Sequence, residues 1–415
     1  MDNNTGATLS RKEVVPALIG TIAGACLIYV AMTAALPFFA SNTVLPGFGD
    51  FLVGCMEGSP LHKVYWFFAD LTETTFLASM PATIGLVVGG FIAAHLERTK
   101  SRYAGTGVDG NGKIFTKMFL SSVCSLILGI LFFGNVWPGF TGWIPTFAAL
   151  LVVQPLIIHF GTSMPKLITC VIAGTFATFP VAYYLIALVV TPLGVPLFVG
   201  VSAAVAIVVP ILAFVLRMLP WMAPEPAPAA DEVVTEDAPE AEPEVAPAAP
   251  SPAVFFINRV LGDVGELSIF GSSIATGLMY VGAIIAWMLN PLEPAYGAGN
   301  LPLVIASQIC CAALSIFIYY PNWKAKPFEF TFAGVVCTSA VVGGIAATGT
   351  SADLVIALLT VLMSSIVFVP IVNKVVELFK YRGTYPIIAL IQLGIFPVVT
   401  VWALLLNHVI VPMLL

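Results

Sequence analysis

Eleven apolar stretches run through the chain, each close to the roughly 20 residues a helix needs to cross a bilayer. They lie at about 14–40, 74–96, 114–134, 143–160, 165–190, 196–219, 268–289, 301–320, 328–347, 353–375 and 384–412. Runs this long cannot all be buried inside a soluble domain of 415 residues. Only 9% of the chain is charged, where a soluble domain carries about a quarter. The expected fold is therefore an all-α polytopic membrane protein.

Lys and Arg in the short loops orient such a bundle. Arg11 and Lys12 precede the first run. Arg98, Lys100, Arg102, Lys113 and Lys117 lie between the second and third, and Lys166 between the fourth and fifth. Lys324 and Lys326, then Lys374, Lys380 and Arg382, continue the series. The alternate loops 134–142, 191–195, 290–300 and 348–352 contain neither residue, and only Lys63 breaks the pattern. The alternation predicts eleven spans in an inner cell membrane, with a cytoplasmic N-terminus and an external C-terminus. The start, MDNNTGATLSRKE, lacks the parts of a secretory signal, so the first run is expected to stay as a helix.

The net charge of −6 comes from one place. Eight acids fall between Glu225 and Glu244, in a Pro/Ala/Glu-rich stretch from Met222 to Pro252. Such a segment cannot bury apolar surface and should be a disordered cytoplasmic linker. It divides the chain into a tail, helix and external loop (1–60), a first unit (61–221), the linker (222–252) and a second unit (253–415).

The two units resemble each other. FADLTETTFLASMPATIGLVVGGFIAA from Phe68 and LGDVGELSIFGSSIATGLMYVGAIIAW from Leu261 align at an offset of 193. Asp70 then falls on Asp263, Glu73 on Glu266, Ser79 on Ser272, Ala82-Thr83 on Ala275-Thr276 and Gly89 on Gly282. Further on, Ser121, Cys124 and Trp137 fall on Ser307, Cys310 and Trp323 at 186, and Thr146-Phe147-Ala148 on Thr331-Phe332-Ala333 at 185. Gly161-Thr162-Ser163 falls on Gly349-Thr350-Ser351 at 188, and Pro180 on Pro370 at 190. Unrelated apolar helices share Leu and Val, but they seldom share their rare acids. Each unit has five expected helices. An odd number inverts the second unit, giving one N-terminal helix plus two five-helix inverted-topology repeats.

Inverted repeats suit alternating access, because two similar halves placed upside down can exchange conformations. The expected function is a secondary active transporter, cation- or proton-coupled, moving a small polar or ionic solute. A channel or passive facilitator is the alternative, and a membrane component of a multi-subunit uptake system the next. A homodimer is compatible with such a bundle, although no interface is legible.

Two places could hold the site. The first is the opening of each unit: Asp70, Glu73, Ser79 and Thr83, with Asp263, Glu266, Ser272 and Thr276. Acids three apart share a helical face, and an acid at membrane depth commonly marks an ion or proton role. The plainer reading makes them helix N-caps at the interface. Against it, KVYWFFA and VFFINRVLG before the acids are long enough for re-entrant or in-plane segments. The second place is the proline breaks: Thr178 and Pro180, then Ser364, Ser365, Pro370 and Asn373. A mid-helix proline frees a carbonyl that could coordinate an ion. Gln154, Gln308 and Gln392 are further intramembrane amides, and His159 reads as structural.

Other functions have little support. There is no basic patch for nucleic acid, no P-loop, no HExxH, and no metal site or cofactor beyond a coupling Na+ or H+. Gly47-Phe48-Gly49-Asp50 matches GxGD, but it lies in a loop with no partner aspartate. Seven scattered cysteines form no CxxC. No convergent nucleophile and base suggests an enzyme.

Overall fold

The computed structural model describes residues 11–101, 103, 114–134, 146–223, 251–266, 271–294, 300–319, 330–346, 349–380 and 387–415, and their regular elements are all helices. Most of the expected linker lies outside the described residues, as do Arg102, Lys113, Trp137, Trp323, Lys324, Lys326 and Arg382.

Helix α1 (Arg11–Phe39) and the short α2 (Phe48–Met56) come first. The first half then runs α3 (Pro60–Glu73), α4 (Met80–Arg98), α5 (Phe115–Phe133), α6 (Leu150–Phe160), α7 (Met164–Leu185), α8 (Thr191–Leu193) and α9 (Phe198–Leu216). The second half runs α10 (Pro252–Gly265), α11 (Ser273–Leu289), α12 (Leu301–Tyr319), α13 (Phe332–Ile345), α14 (Ala352–Met363), α15 (Val369–Lys380), α16 (Ile387–Leu405) and α17 (Val411–Leu414). Single π-helical turns join α7 to α8, α14 to α15 and α16 to α17.

Among the described residues, eight continuous helices are long and apolar enough to cross a membrane. Three shorter apolar helices, Thr146–Phe160, Ser273–Leu289 and Phe332–Ile345, lie at the other expected positions. Leu27, Leu131, Leu188 and Val401 stand outward and more than half exposed. In water such a surface would drive aggregation; in lipid it meets a solvent of its own kind. The chain is an α-helical, membrane-embedded protein.

With lipid outside, helix association depends on close packing rather than on excluding water. The main seam is α4 against α11, which run antiparallel. A Cβ on Gly85 would stand 2.1 Å from the Leu278 carbonyl oxygen, and one on Gly282 2.1 Å from that of Pro81. A Cβ on Gly89 would stand 2.6 Å from Ala275 Cα. The backbones therefore touch, and only glycine fits. Helices α9 and α16 make a second seam between the halves. Helix α1 lies along α12 and α10, where Arg11 Nη2 donates to the Ile318 carbonyl at 3.0 Å. This cover leaves α12 more enclosed than α5.

Candidate functional site

Each half opens with a short helix followed by a longer one, and in the first half a break separates the two. In the first half α3 ends at Glu73, Thr74 to Ala78 are non-helical, and α4 starts after Ser79. The apolar run continues through the break, so hydropathy places the helix start at 74 rather than at Met80. In the second half α11 starts at Ser273, and residues 267–270 before it lie outside the described residues.

Hydroxyls hold the first break in shape. Thr72 Oγ1 accepts from the Ser79 N–H at 3.2 Å and lies 3.0 Å from Thr83 Oγ1. Thr83 donates to the Phe68 carbonyl, and Ser79 Oγ accepts from the Ala82 N–H at 3.2 Å. Phe76 sits in the left-handed region at φ 60°, which costs a side-chain-bearing residue about 1–2 kcal/mol. Its fully buried ring packs edge-on against Phe198 at 4.9 Å, which holds it there.

Across the seam, Gln308 Nε2 donates to the Thr75 carbonyl at 2.7 Å and to Ser339 Oγ at 3.0 Å, while its oxygen accepts from the Tyr280 hydroxyl at 3.0 Å. One amide thus ties the first-half break to three helices of the second half. In the first half Gln154 Nε2 donates to Ser122 Oγ at 2.8 Å.

The acids are not helix N-caps. Asp70 and Glu73 occupy the last turn of α3, and Asp263 and Glu266 the end of α10. The caps are the following serines: Ser79, and Ser272, whose Oγ accepts from the Ala275 N–H at 3.4 Å. A helix C-terminus carries partial negative charge, so these carboxyls sit at the electrostatically unfavourable end.

Both aspartates are buried and accept from a threonine. Thr146 donates to Asp70, and Thr331 to Asp263. The Trp66 indole N–H donates to Thr146 Oγ1 at 2.9 Å. The halves then differ. Arg259 bridges both second-half acids, with Nη2 2.9 Å from Asp263 and Nη1 2.9 Å from Glu266. In the first half the Asp70 and Glu73 carboxyls lie within hydrogen-bonding reach of each other. Both are buried, at 1% and 0% exposure.

Ser79 and Thr83 therefore have their hydroxyls engaged in shaping the first break, and Ser272 has its hydroxyl engaged in capping α11. Thr276 is buried, and its hydroxyl has no hydrogen-bond partner among the described residues.

The proline breaks are separate from the acids. Thr178 Oγ1 donates to the Gly174 carbonyl at 2.6 Å, and Pro180 lies within α7, ahead of its π turn. Pro370 instead follows the π turn that contains Ser364 and Ser365. The Tyr319 hydroxyl donates at 3.2 Å to the Ile366 carbonyl, four residues before Pro370, which a proline leaves without its usual helical partner. Ser365 lies 3.5 Å from Cys311 Sγ, and Ser125 lies 2.8 Å from Thr175. Asn373 accepts from the Phe330 N–H at 2.8 Å and donates to the Val369 carbonyl at 3.0 Å. These contacts satisfy the carbonyl that Pro370 frees, whereas the Ser364 hydroxyl is buried without a partner among the described residues. His159 lies edge-on to Phe160 at 4.7 Å.

Sequence reading missed Glu293. It lies in the turn after α11, is fully buried, and accepts from the Met80 N–H at 3.0 Å at the start of α4. Its second oxygen has no partner among the described residues. The available signal was an acid in one of the loops without Lys or Arg. Burial pushes its carboxyl up to about 8, with the Met80 N–H working against the rise. The folded state then holds a proton that the unfolded state releases above the ordinary glutamate value near 4.5. The protein should lose stability as pH rises from about 5 to 8, by at most roughly 1.4 kcal/mol per pH unit from this group. Glu293→Gln should flatten that part of the melting-temperature profile; an unchanged slope would show that Glu293 does not cause it.

Among the described residues no three His, Cys, Asp or Glu side chains cluster as metal ligands. No protein-family model matches the chain, and no curated protein or solved structure matches it.

Proposed function

We propose that the chain is a secondary active transporter that works by alternating access between two inverted repeats, coupled to a cation or proton. In this reading α3–α9 and α10–α17 are the repeats and α1 is an addition outside them. The three shorter apolar helices also cross, which makes eleven crossings. Helices α3 and α10, at 14 residues each, are about 21 Å long. They enter the membrane without crossing it, so each repeat keeps an odd number of spans.

The observation that carries the reading is the α4–α11 seam. Positions 85 and 278 differ by the same 193 residues that relate the acids, and Gly85 packs on Leu278. A residue touching its own counterpart is what a two-fold axis requires. Around it contacts come in exchanged pairs: Gly89 on Ala275, and Gly282 on Ala82. Hydrogen bonds support the same relation. Asp70–Thr146 corresponds to Asp263–Thr331, and Ser125–Thr175 to Cys311–Ser365. Gln154–Ser122 reappears as Gln308–Ser339 with donor and acceptor exchanged between the two helices. A bond kept while its two side chains trade places argues for common ancestry of the halves.

The seam also argues against a pore along the axis, because backbone meets backbone there. Cargo would bind instead beside the opened turn between α3 and α4, where the helical ladder is interrupted.

Counterflow separates a carrier from a channel. Proteoliposomes containing the protein would be preloaded with unlabelled amino acids, organic acids or sugars and given labelled solute outside. A carrier accelerates uptake of its own substrate above the empty-vesicle rate and saturates. Non-saturating flux without counterflow would remove the transporter reading.

A further inference from the structure

We propose that the second half carries a site for a dehydrated alkali cation, sodium or an ion of similar size, built from the Thr338 and Ser364 hydroxyls and the Ser365 carbonyl. The proposal rests on the repeat relation of the transport reading and names its coupling ion; binding of the ion does not itself require transport.

The buried polar contacts shared by the halves set the background. Gln308 and Cys311 on α12 correspond to Ser122 and Ser125 on α5, Ser339 to Gln154, and Ser365 to Thr175. Each of these side chains is bonded to another of its own half. Three hydroxyls are then added in the second half alone. Ser315 stands where the first half has Gly129, Thr338 where it has Val153, and Ser364 where it has Gly174, at offsets of 186, 185 and 190. Ser315 Oγ lies 3.9 Å from Cys311 Sγ. Thr338 Oγ1 and Ser364 Oγ are fully buried and have no hydrogen-bond partner among the described residues. Their first-half counterparts touch, because a Cβ on Gly174 would stand 2.7 Å from Val153 Cγ2. Threonine keeps the shape of valine, so the same contact in the second half becomes two hydroxyls in place of a dry seam. Cys311 fits this placement, with its thiol 3.5 Å from Ser365 Oγ and close to Thr338. A buried hydroxyl without a partner is destabilising. Two at one place point to a bound group that both can face.

The backbone points to the same place. Ser364–Phe368 form a π turn, whereas the corresponding residues 174–178 are ordinary α-helix. Such turns inside α-helices often mark functional sites. Here the Val369 N–H bonds the Ser364 carbonyl. An α-helix would have aimed it at the Ser365 carbonyl, and Pro370, next in line, has no N–H. The Ser365 carbonyl thus loses both helical donors, while Tyr319 satisfies that of Ile366. Ser365 lies midway along the span Ala352–Phe379, Thr338 midway along α13 and Cys311 midway along α12, so these oxygens gather near the middle of the bilayer.

Their chemistry selects the ligand. Neutral hydroxyl and carbonyl oxygens suit hard cations and do not take up a proton near neutral pH. No carboxylate stands among the three, which favours a single charge over a divalent ion. Helices α12, α13 and α14 carry no Lys or Arg, so no fixed cation on them competes. Gln308, one turn before Cys311, and Ser339, next to Thr338, tie these helices to the Thr75 carbonyl in the break proposed for cargo.

The test uses the purified full-length protein and its melting temperature in choline chloride, then in NaCl, LiCl or KCl at the same pH and ionic strength. A bound ion should raise the melting temperature by about 2 °C per tenfold excess over Kd. Thr338→Val, which installs the first-half residue, and Ser364→Ala should each weaken ion binding about tenfold or more. Neither should lower the melting temperature in choline, because each removes an unsatisfied buried hydroxyl; a purely structural role would lower it in every salt. The choline value also shows whether a variant folds. A wild-type protein with one melting temperature in all four salts would overturn the proposal and leave the hydroxyls to a trapped water. An undiminished ion response in both folded variants would overturn it as well. If the response is present and lost in the variants, but no solute shows counterflow, the cation site stands and the transporter reading falls. Counterflow without any ion response would leave transport standing and remove the site.

Discussion

Gly85→Val should destabilise the protein by about 3 kcal/mol or leave it unable to fold, although it adds only apolar carbon to an apolar seam. The first added carbon would lie 2.1 Å from the Leu278 carbonyl oxygen and 2.6 Å from its carbon. Those are backbone atoms, so no side chain can rotate away and one helix must move. Overpacking of this kind costs about 1–3 kcal/mol even where side chains can adjust. Gly282→Ala, against the Pro81 carbonyl at 2.1 Å, should behave similarly. Gly277 lies on the same helix with nothing within 4 Å, and Gly277→Ala should be neutral or slightly stabilising. Thermal unfolding in detergent reads all three. A Gly85→Val protein melting within about 1 kcal/mol of wild type would mean that the helices do not meet at this glycine.

Arg259→Met should be the most damaging change at the acids, costing roughly 3 kcal/mol at neutral pH. The loss comes less from the missing pair than from what it leaves behind, because Asp263 is fully buried and without a counter-ion must either hold an uncompensated charge or take up a proton. Arg259→Met/Asp263→Asn removes that charge and should recover much of the loss. Melting temperatures of the two variants test this. If the double variant is no better than the single one, the arginine acts through packing rather than charge.

Much of this architecture is legible in hydropathy, for a simple reason. Lipid-facing and core-facing positions are both apolar, so a helix such as α9 reads as one unbroken run. The same property hides the breaks. Thr74 to Ala78 continues the apolar run, and its departure from helix depends on Thr72 bonding to the Ser79 backbone and on Phe76 packing under Phe198. Neither contact leaves a periodic signal. The Asp-x-x-Glu spacing marked the acids as special, but not which end of a helix they occupy, because the helix boundary itself was hidden. Gln308 looked like an isolated amide, and its three partners come from segments far apart in the chain.

The central claim is that the two halves lie in the membrane with opposite orientation. Ser163 and Ser351 test it directly, since each is exposed, each precedes a long helix, and the two correspond at an offset of 188. Ser163→Cys and Ser351→Cys would be placed singly in a background whose seven cysteines are replaced. Each would then be labelled with a membrane-impermeant maleimide in intact cells and in inside-out vesicles. The inverted arrangement predicts that Ser163→Cys labels only in the vesicles and Ser351→Cys only in the cells. Labelling of both from the same face would contradict it.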